Sequence, residues 1–233
     1  MDGIHRFSAG GSPGPQTGGT LSDMSKGIPA EAFEFYEHLA ADNTREFWTE
    51  HKGEYEAYVR EPLQELAEAI APDFGPAHLY RPYRDMRFSR DKTPYKDHQG
   101  CLFEAENGLG WYVQVSAHGL MVAGGWYVST GPQVKRFREH IQEFGAAELR
   151  QALKPLPKAG FTVDGEQLKT RPRGVSEDNP DLDLLRHRTI HATRTWEPEA
   201  WMGSKRLQTT VHKSFDKLRP MITTLAGIVG PPE

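Results

Sequence analysis

Residues 99–128 constrain the fold more than any other stretch. The segments 99–105, 111–116 and 120–128 read as strands, separated by a turn at Glu106-Asn107-Gly108 and a tight turn at His118-Gly119. Trp111, Val113 and Val115 alternate to one side, the period-two pattern of a strand with one buried face. A parallel crossover needs a dozen residues or more, so connections this short make antiparallel neighbours, a meander. Gly-Trp-Tyr-Val occurs at 110–113 and again at 125–128. Four residues fit a shared strand-entry role rather than an internal repeat.

Helices are expected on both sides of the meander. Ala32, Phe35, Tyr36 and Leu39 have helical spacing within 29–41. Asp42-Asn43 breaks that helix, and Asn43 with Glu46 reads as a capping box opening a second helix over about 44–60. A third, or a kinked continuation of the second, starts near Pro62, carries Leu63, Leu66, Ala67 and Ile70, and ends at Asp73-Phe74-Gly75-Pro76. Beyond the meander, Thr130 and Gln133 form another capping box, followed by Val134, Phe137, Ile141 and Phe144 at helical spacing. A helix around 146–154, a hairpin about Asp164-Gly165, a loop over 171–181, a short helix at 182–186 and a strand at 189–196 follow. The last helix, 204–227, carries Leu207, Val211, Phe215, Leu218, Ile222 and Leu225 on one stripe, with Pro220 set to kink it. Helices, then consecutive strands, then a mixture predict a single α+β domain over 28–228. A mainly antiparallel sheet, its meander at about 99–128, is packed by N-terminal, central and C-terminal helices.

Residues 1–27 are rich in Gly, Ser and Pro and are expected to form a disordered tail, because they cannot bury enough apolar surface to offset ordering entropy. Met24 is expected to be the natural start. The tail's glycines lack a following Gly-Lys-Ser/Thr, which excludes a phosphate-binding loop. Eleven Phe, eight Tyr and five Trp supply much of the core. Cys101 is the only cysteine, so no intramolecular disulfide forms, and a reducing compartment is expected. With no apolar run near membrane-span length and no signal-peptide pattern, the expectation is a cytoplasmic protein without membrane contact. Composition leaves the oligomeric state open.

The net charge of the chain is −4. Residues 81–96, RPYRDMRFSRDKTPYK, depart from it with six cations and two acids, interleaved with Tyr83, Phe88 and Tyr95. If 83–89 is extended, Tyr83, Asp85, Arg87 and Ser89 share one face, while Met86 and Phe88 turn to the core. Asp85 then steadies Arg87, whose planar donor fork suits a carboxylate or phosphate. Asp91-Lys92-Thr93-Pro94 reads as a turn that brings Lys92, Tyr95 and Lys96 back to the same anion. The leading expectation is therefore a phosphate- or carboxylate-bearing small ligand held by Arg84, Asp85, Arg87, Asp91, Lys92, Tyr95 and Lys96, with Arg173 from a second basic run as far wall. In an enzyme, Arg87 and Lys92 would stabilise negative charge, and Asp85 or Tyr95 would move a proton. Two other readings stand beside it. The block is also suited to nucleic-acid phosphates, although the acidic body argues against that partner, and to a buried ion-pair network of purely structural use.

Other constellations carry less. His187 and His191 are four apart, but Thr189-Ile190 oppose a helix there and no third ligand is evident, so no metal or other cofactor is expected. Cys101 reads as a buried small residue. Ser116-Ala117-His118 lacks the Gly-x-Ser-x-Gly elbow. Glu104 and Glu106 read as an exposed acidic face.

The block 81–96 closely resembles the signature of a widespread, mainly bacterial family catalogued as a domain of unknown function. The resemblance extends from Phe33 to about Leu225. It includes Asp42-Asn43 with Arg45, Glu46, Phe47 and Trp48, then Gly124-Gly125-Trp126-Tyr127, the Arg138 helix, Arg173-Gly174, Asn179-Pro180 and Leu184-Leu185. It implies one α+β domain and hands over no activity, catalytic residue or cofactor. Met86 stands where a smaller polar residue is expected, and Asn179 where histidine is expected, which weakens any histidine-based mechanism in the 171–181 loop.

Overall fold

The computed structural model describes residues 26–84 and 92–232. The tail to residue 25, Met24 included, and the centre of the basic block, 85–91, lie outside them. The order is α1 (Glu31–Ala41), α2 (Arg45–Glu54), a π-helical turn (Tyr55–Arg60), α3 (Glu61–Phe74), β1 (Ala77–Leu79), β2 (His98–Glu104), β3 (Leu109–Ser116), β4 (Gly119–Trp126), α4 (Gly131–Phe144), α5 (Ala147–Leu153), β5 (Thr162–Asp164), α6 (Leu182–Leu185), β6 (Ile190–Trp196) and α7 (Arg206–Val229). The strands make one sheet in the order β1-β2-β3-β4-β6-β5, each neighbour antiparallel. This is the α+β domain expected, with β2-β3-β4 as its meander.

Alternation within the strands assigns two faces. Cys101, Phe103, Trp111, Val113, Val115, Leu120 and Val122 are buried on one face, where α7 packs on β4 and β3, α3 on β2, and α1 on β3. Gly124 lies under α7: a Cβ there would come within 2.9 Å of the Leu218 Cδ1 and 3.0 Å of the Ile222 Cδ1. The Trp111 indole donates to the Phe215 carbonyl at 3.1 Å, tying helix to sheet.

Several local expectations are corrected by long-range partners. The N-cap of α2 is Thr44, whose hydroxyl accepts from the Phe47 amide at 3.2 Å. Asn43 instead reaches residue 95, as described below. Of the two alternatives at Pro62, the continuation holds and no new helix starts there. The helix passes from α2 to α3 through the π turn, which widens the coil just where the Pro62 ring would meet the Tyr58 carbonyl. No hairpin closes at Asp164-Gly165, because β5 pairs with β6, Thr162 opposite Thr193 and Asp164 opposite His191. The three-residue β1 is too short for periodicity to announce. Gly27, at the end of the expected tail, is buried, and the neighbouring Ile28 amide donates to the Met202 carbonyl at 2.7 Å.

A buried relay joins helix, sheet and the entry to the basic block. The Tyr55 hydroxyl donates to Gln99 Oε1 at 2.6 Å, and Gln99 Nε2 donates to the carbonyls of Tyr80 at 2.7 Å and Gly100 at 3.1 Å. Gln99→Leu keeps the volume and orphans these groups, so chemical denaturation is expected to show a loss of about 1–3 kcal/mol. An unchanged midpoint would mean that the relay carries no stability.

Candidate functional site

The basic block enters and leaves the body as a paired ladder. Tyr83 bridges Tyr95, the Arg84 amide donates to the Pro94 carbonyl at 2.9 Å, and the Lys96 amide donates to the Pro82 carbonyl at 2.8 Å. The base is pinned from two directions. The Asn43 side chain donates to the Tyr95 carbonyl and accepts from the Tyr95 amide, both at 3.1 Å. The Tyr95 ring stacks on Trp48, with centroids 4.2 Å apart and planes at 9°. Trp48 in turn meets Tyr55 and Phe35.

Of the sequence candidates, Tyr95 is buried in this aromatic stack and Lys92 is exposed. The Lys96 ammonium lies 5.2 Å from the centroid of the Tyr80 ring, a cation–π distance. Burial and the nearby Arg84 charge both hold the Lys96 pKa below its usual value. Arg84, Tyr95 and Lys96 are thus brought together. Asp85, Arg87 and Asp91 lie outside the described residues. Arg173 lines a separate groove, beside Arg138 and Arg188.

Tyr80 also lines an opening on the sheet. A cavity of about 1010 Å³ lies over its face away from α7, bounded by Tyr80, Leu102, Glu104, Tyr112, Met121, Ala123, Tyr127, His191 and Thr193. Strand register puts these residues side by side: Leu102 faces Tyr112, Tyr112 faces Ala123, and Ala123 faces Thr193. Gly100 makes room beneath the Tyr112 ring, since a Cβ there would come within 2.0 Å of the Tyr112 hydroxyl oxygen. That hydroxyl donates to Gln114 Oε1 at 3.0 Å.

At the far side the Tyr127 ring stacks on His191, with centroids 5.5 Å apart. The Tyr127 hydroxyl is buried and has no hydrogen-bond partner among the described residues. Burial holds its pKa well above the usual phenol value, so it is a protonated donor. Burial also lowers the His191 pKa, against a smaller opposing pull from Asp164. The cavity therefore has aromatic and aliphatic walls with a neutral imidazole among them; the buried Tyr127 phenol belongs to one lining residue, and the Lys96 ammonium lies against another, Tyr80. Its signal in the sequence was the other half of the strand alternation, Tyr112 between Trp111 and Val113, and Met121 and Ala123 flanking Val122.

Among the described residues no three His, Cys, Asp or Glu side chains are grouped to hold a metal. His187 belongs to the chain before β6 and has its own use: its Nδ1–H donates to the Thr189 carbonyl at 2.9 Å. Cys101 is buried, and burial pushes its thiol up to about 12.

The model of a family described as conserved hypothetical protein (DUF2461) matches residues 31–223. The match takes in α1 through most of α7, with both the block and the sheet-face cavity. A search of curated proteins finds no match.

Burial holds His187 below the ordinary histidine pKa near 6.5. The unfolded chain then binds the proton first as pH falls, so this contribution is whole above about pH 6.5 and is lost below it, toward the lowered folded value. Melting temperature measured from about pH 7.5 to about pH 5 is expected to fall less steeply in His187→Gln than in the parent. Parallel profiles would show that the imidazole titrates alike in both states.

Proposed function

We infer that this chain, which belongs to the conserved hypothetical protein family DUF2461, binds a small molecule with a flat or apolar body and a carboxylate or phosphate group in the sheet-face cavity. The observation that carries the reading is the pairing of aromatic walls with an unsatisfied buried donor. A phenol left without an acceptor costs about 1–3 kcal/mol, so the Tyr127 hydroxyl is a donor held ready for a ligand oxygen. The volume of about 1010 Å³ suits a whole small molecule, and few convergent polar groups on apolar walls are what such sites use to orient one. Lys96, beside Tyr80, supports the anionic end. The rest of the block, with Arg84, Lys92, Asp85, Arg87 and Asp91, is proposed to supply the surrounding charge. His191, its pKa lowered by burial, gives the cavity a neutral hydrogen-bonding imidazole rather than a further cation.

The test is calorimetric titration with 2-naphthoate and neutral 2-naphthol. The anion is expected to bind more tightly than the neutral analogue. Lys96→Gln should weaken 2-naphthoate roughly tenfold, the worth of one charge-assisted contact, and leave 2-naphthol unchanged. Tyr127→Phe should weaken both, and Met121→Trp, which fills the cavity, should abolish binding. Equal affinities for 2-naphthoate and 2-naphthol, or binding that survives Met121→Trp, would refute the reading.

A further inference from the structure

A second cluster of cations lies apart from the sheet-face cavity. One side of α4 presents Val134, Lys135, Arg138 and Gln142 to a groove of about 430 Å³, and Arg173 and Arg188 line it as well. Four cations there meet one lining carboxylate, Glu139, which lies 3.7 Å from Lys135. Arg188 reaches out to Glu166 at 2.9 Å. Arg173 has no ion pair among the described residues.

Arg138 is the informative member. Its Nε donates to the Leu185 carbonyl at 3.0 Å, which fixes the guanidinium plane against α6. Its Nη2 is buried and has no hydrogen-bond partner among the described residues. A buried guanidinium nitrogen without an acceptor is costly, more so than a neutral donor. Burial lowers the Arg138 pKa, and the like charge of Arg188, which lines the same groove, lowers it further. The surroundings are braced. Arg171 Nη1 donates to the Val175 carbonyl at 2.6 Å, and Arg150 pairs with Asp181 at 2.9 Å and Asp183 at 2.6 Å. Gly131, the first residue of α4, also lines the groove, so the positive end of the helix dipole adds to the same potential.

We propose that this groove is an anion site that takes a phosphate group, free or as a phosphomonoester, between the guanidinium forks of Arg138, Arg173 and Arg188. A tetrahedral oxyanion has enough acceptor positions to meet three forks at once, and it supplies the acceptor that Arg138 Nη2 lacks. The proposal is independent of the ligand in the sheet-face cavity.

The experiment titrates the full chain with inorganic phosphate and with glycerol phosphate, by calorimetry and thermal shift, against potassium chloride of matched ionic strength. Saturable binding and a raised melting temperature are expected for both phosphates and not for chloride. The exposed pair Arg173→Ala and Arg188→Ala, combined, should weaken phosphate at least tenfold while 2-naphthol still binds as in the parent. Arg138→Met should do the same. Should that variant fail to fold, the Arg173/Arg188 variant alone decides. Lys96→Gln should leave phosphate affinity unchanged. A phosphate response no larger than that of chloride overturns the proposal. So does an affinity within threefold of the parent in the double variant, or a loss of phosphate binding in Lys96→Gln, which would put the anion at the sheet face.

Discussion

A pleated strand shows every second side chain to each side, and in this sheet the two sides meet different surroundings. One side carries Phe103, Trp111, Val113, Val115 and Val122 into the helices α1, α3 and α7. The other carries Tyr112, Met121, Ala123, His191 and Thr193 into an open cavity. The split follows from register. A slip of one residue between β3 and β4 would send Tyr112 toward α7 and Val113 into the cavity. Core packing therefore also holds the cavity wall in place, and Gly124, where α7 sits closest, is one point where the two demands meet.

How much of this was legible depended on whether a residue's partner was near in sequence. The meander, the Thr130–Gln133 capping box and the apolar stripe of α7 rest on local periodicity, and each stands where the pattern put it. Asn43 has the chemistry of an N-cap, but its amide is used 52 residues away on Tyr95, and no spacing rule reports such a partner. Thr162 likewise pairs with Thr193, across a connection too long for a hairpin motif to describe. In the basic block, charge and aromatic content singled out Tyr83, Arg84, Tyr95 and Lys96, which the backbone pairing brings together. What the strand pattern also held, and apolar counting passed over, was the second face, whose polar and aromatic members read as filler between core positions.

Electrostatically the chain is an acidic body with its cations gathered. Taking the net +4 of residues 81–96 from a total of −4 leaves −8 for the remainder. Against that background, Lys96 beside Tyr80 and the arginines along α4 stand out as concentrations. Each is set on a braced support: the Asn43 clamp and the Trp48 stack in one case, the Leu185 carbonyl and the Arg150 carboxylate pairs in the other. Bracing matters because a cation whose side chain is already held loses less freedom when an anion arrives.

The π turn between α2 and α3 has a consequence for how this segment tolerates change in length. Inward residues along it fall at Tyr55, Val59 and Leu63, steps of four and four, where a regular helix would drift off the core within two turns. The wider turn absorbs that drift and works as a phase adjuster between two stretches of helix. An ordinary α-helix through the same residues would rotate one half against the other by about 100°, the angle of the one residue that the wider turn takes up. Trp48, with the aromatic stack it anchors, and the Leu63–Leu66–Ile70 stripe could then not both face inward. Deleting one residue within 55–60 removes the widening and leaves the two halves in phase, whereas a residue lost elsewhere in α2 or α3 meets no such slack. Changes of length are therefore absorbed at the turn and read by the sheet on either side of it.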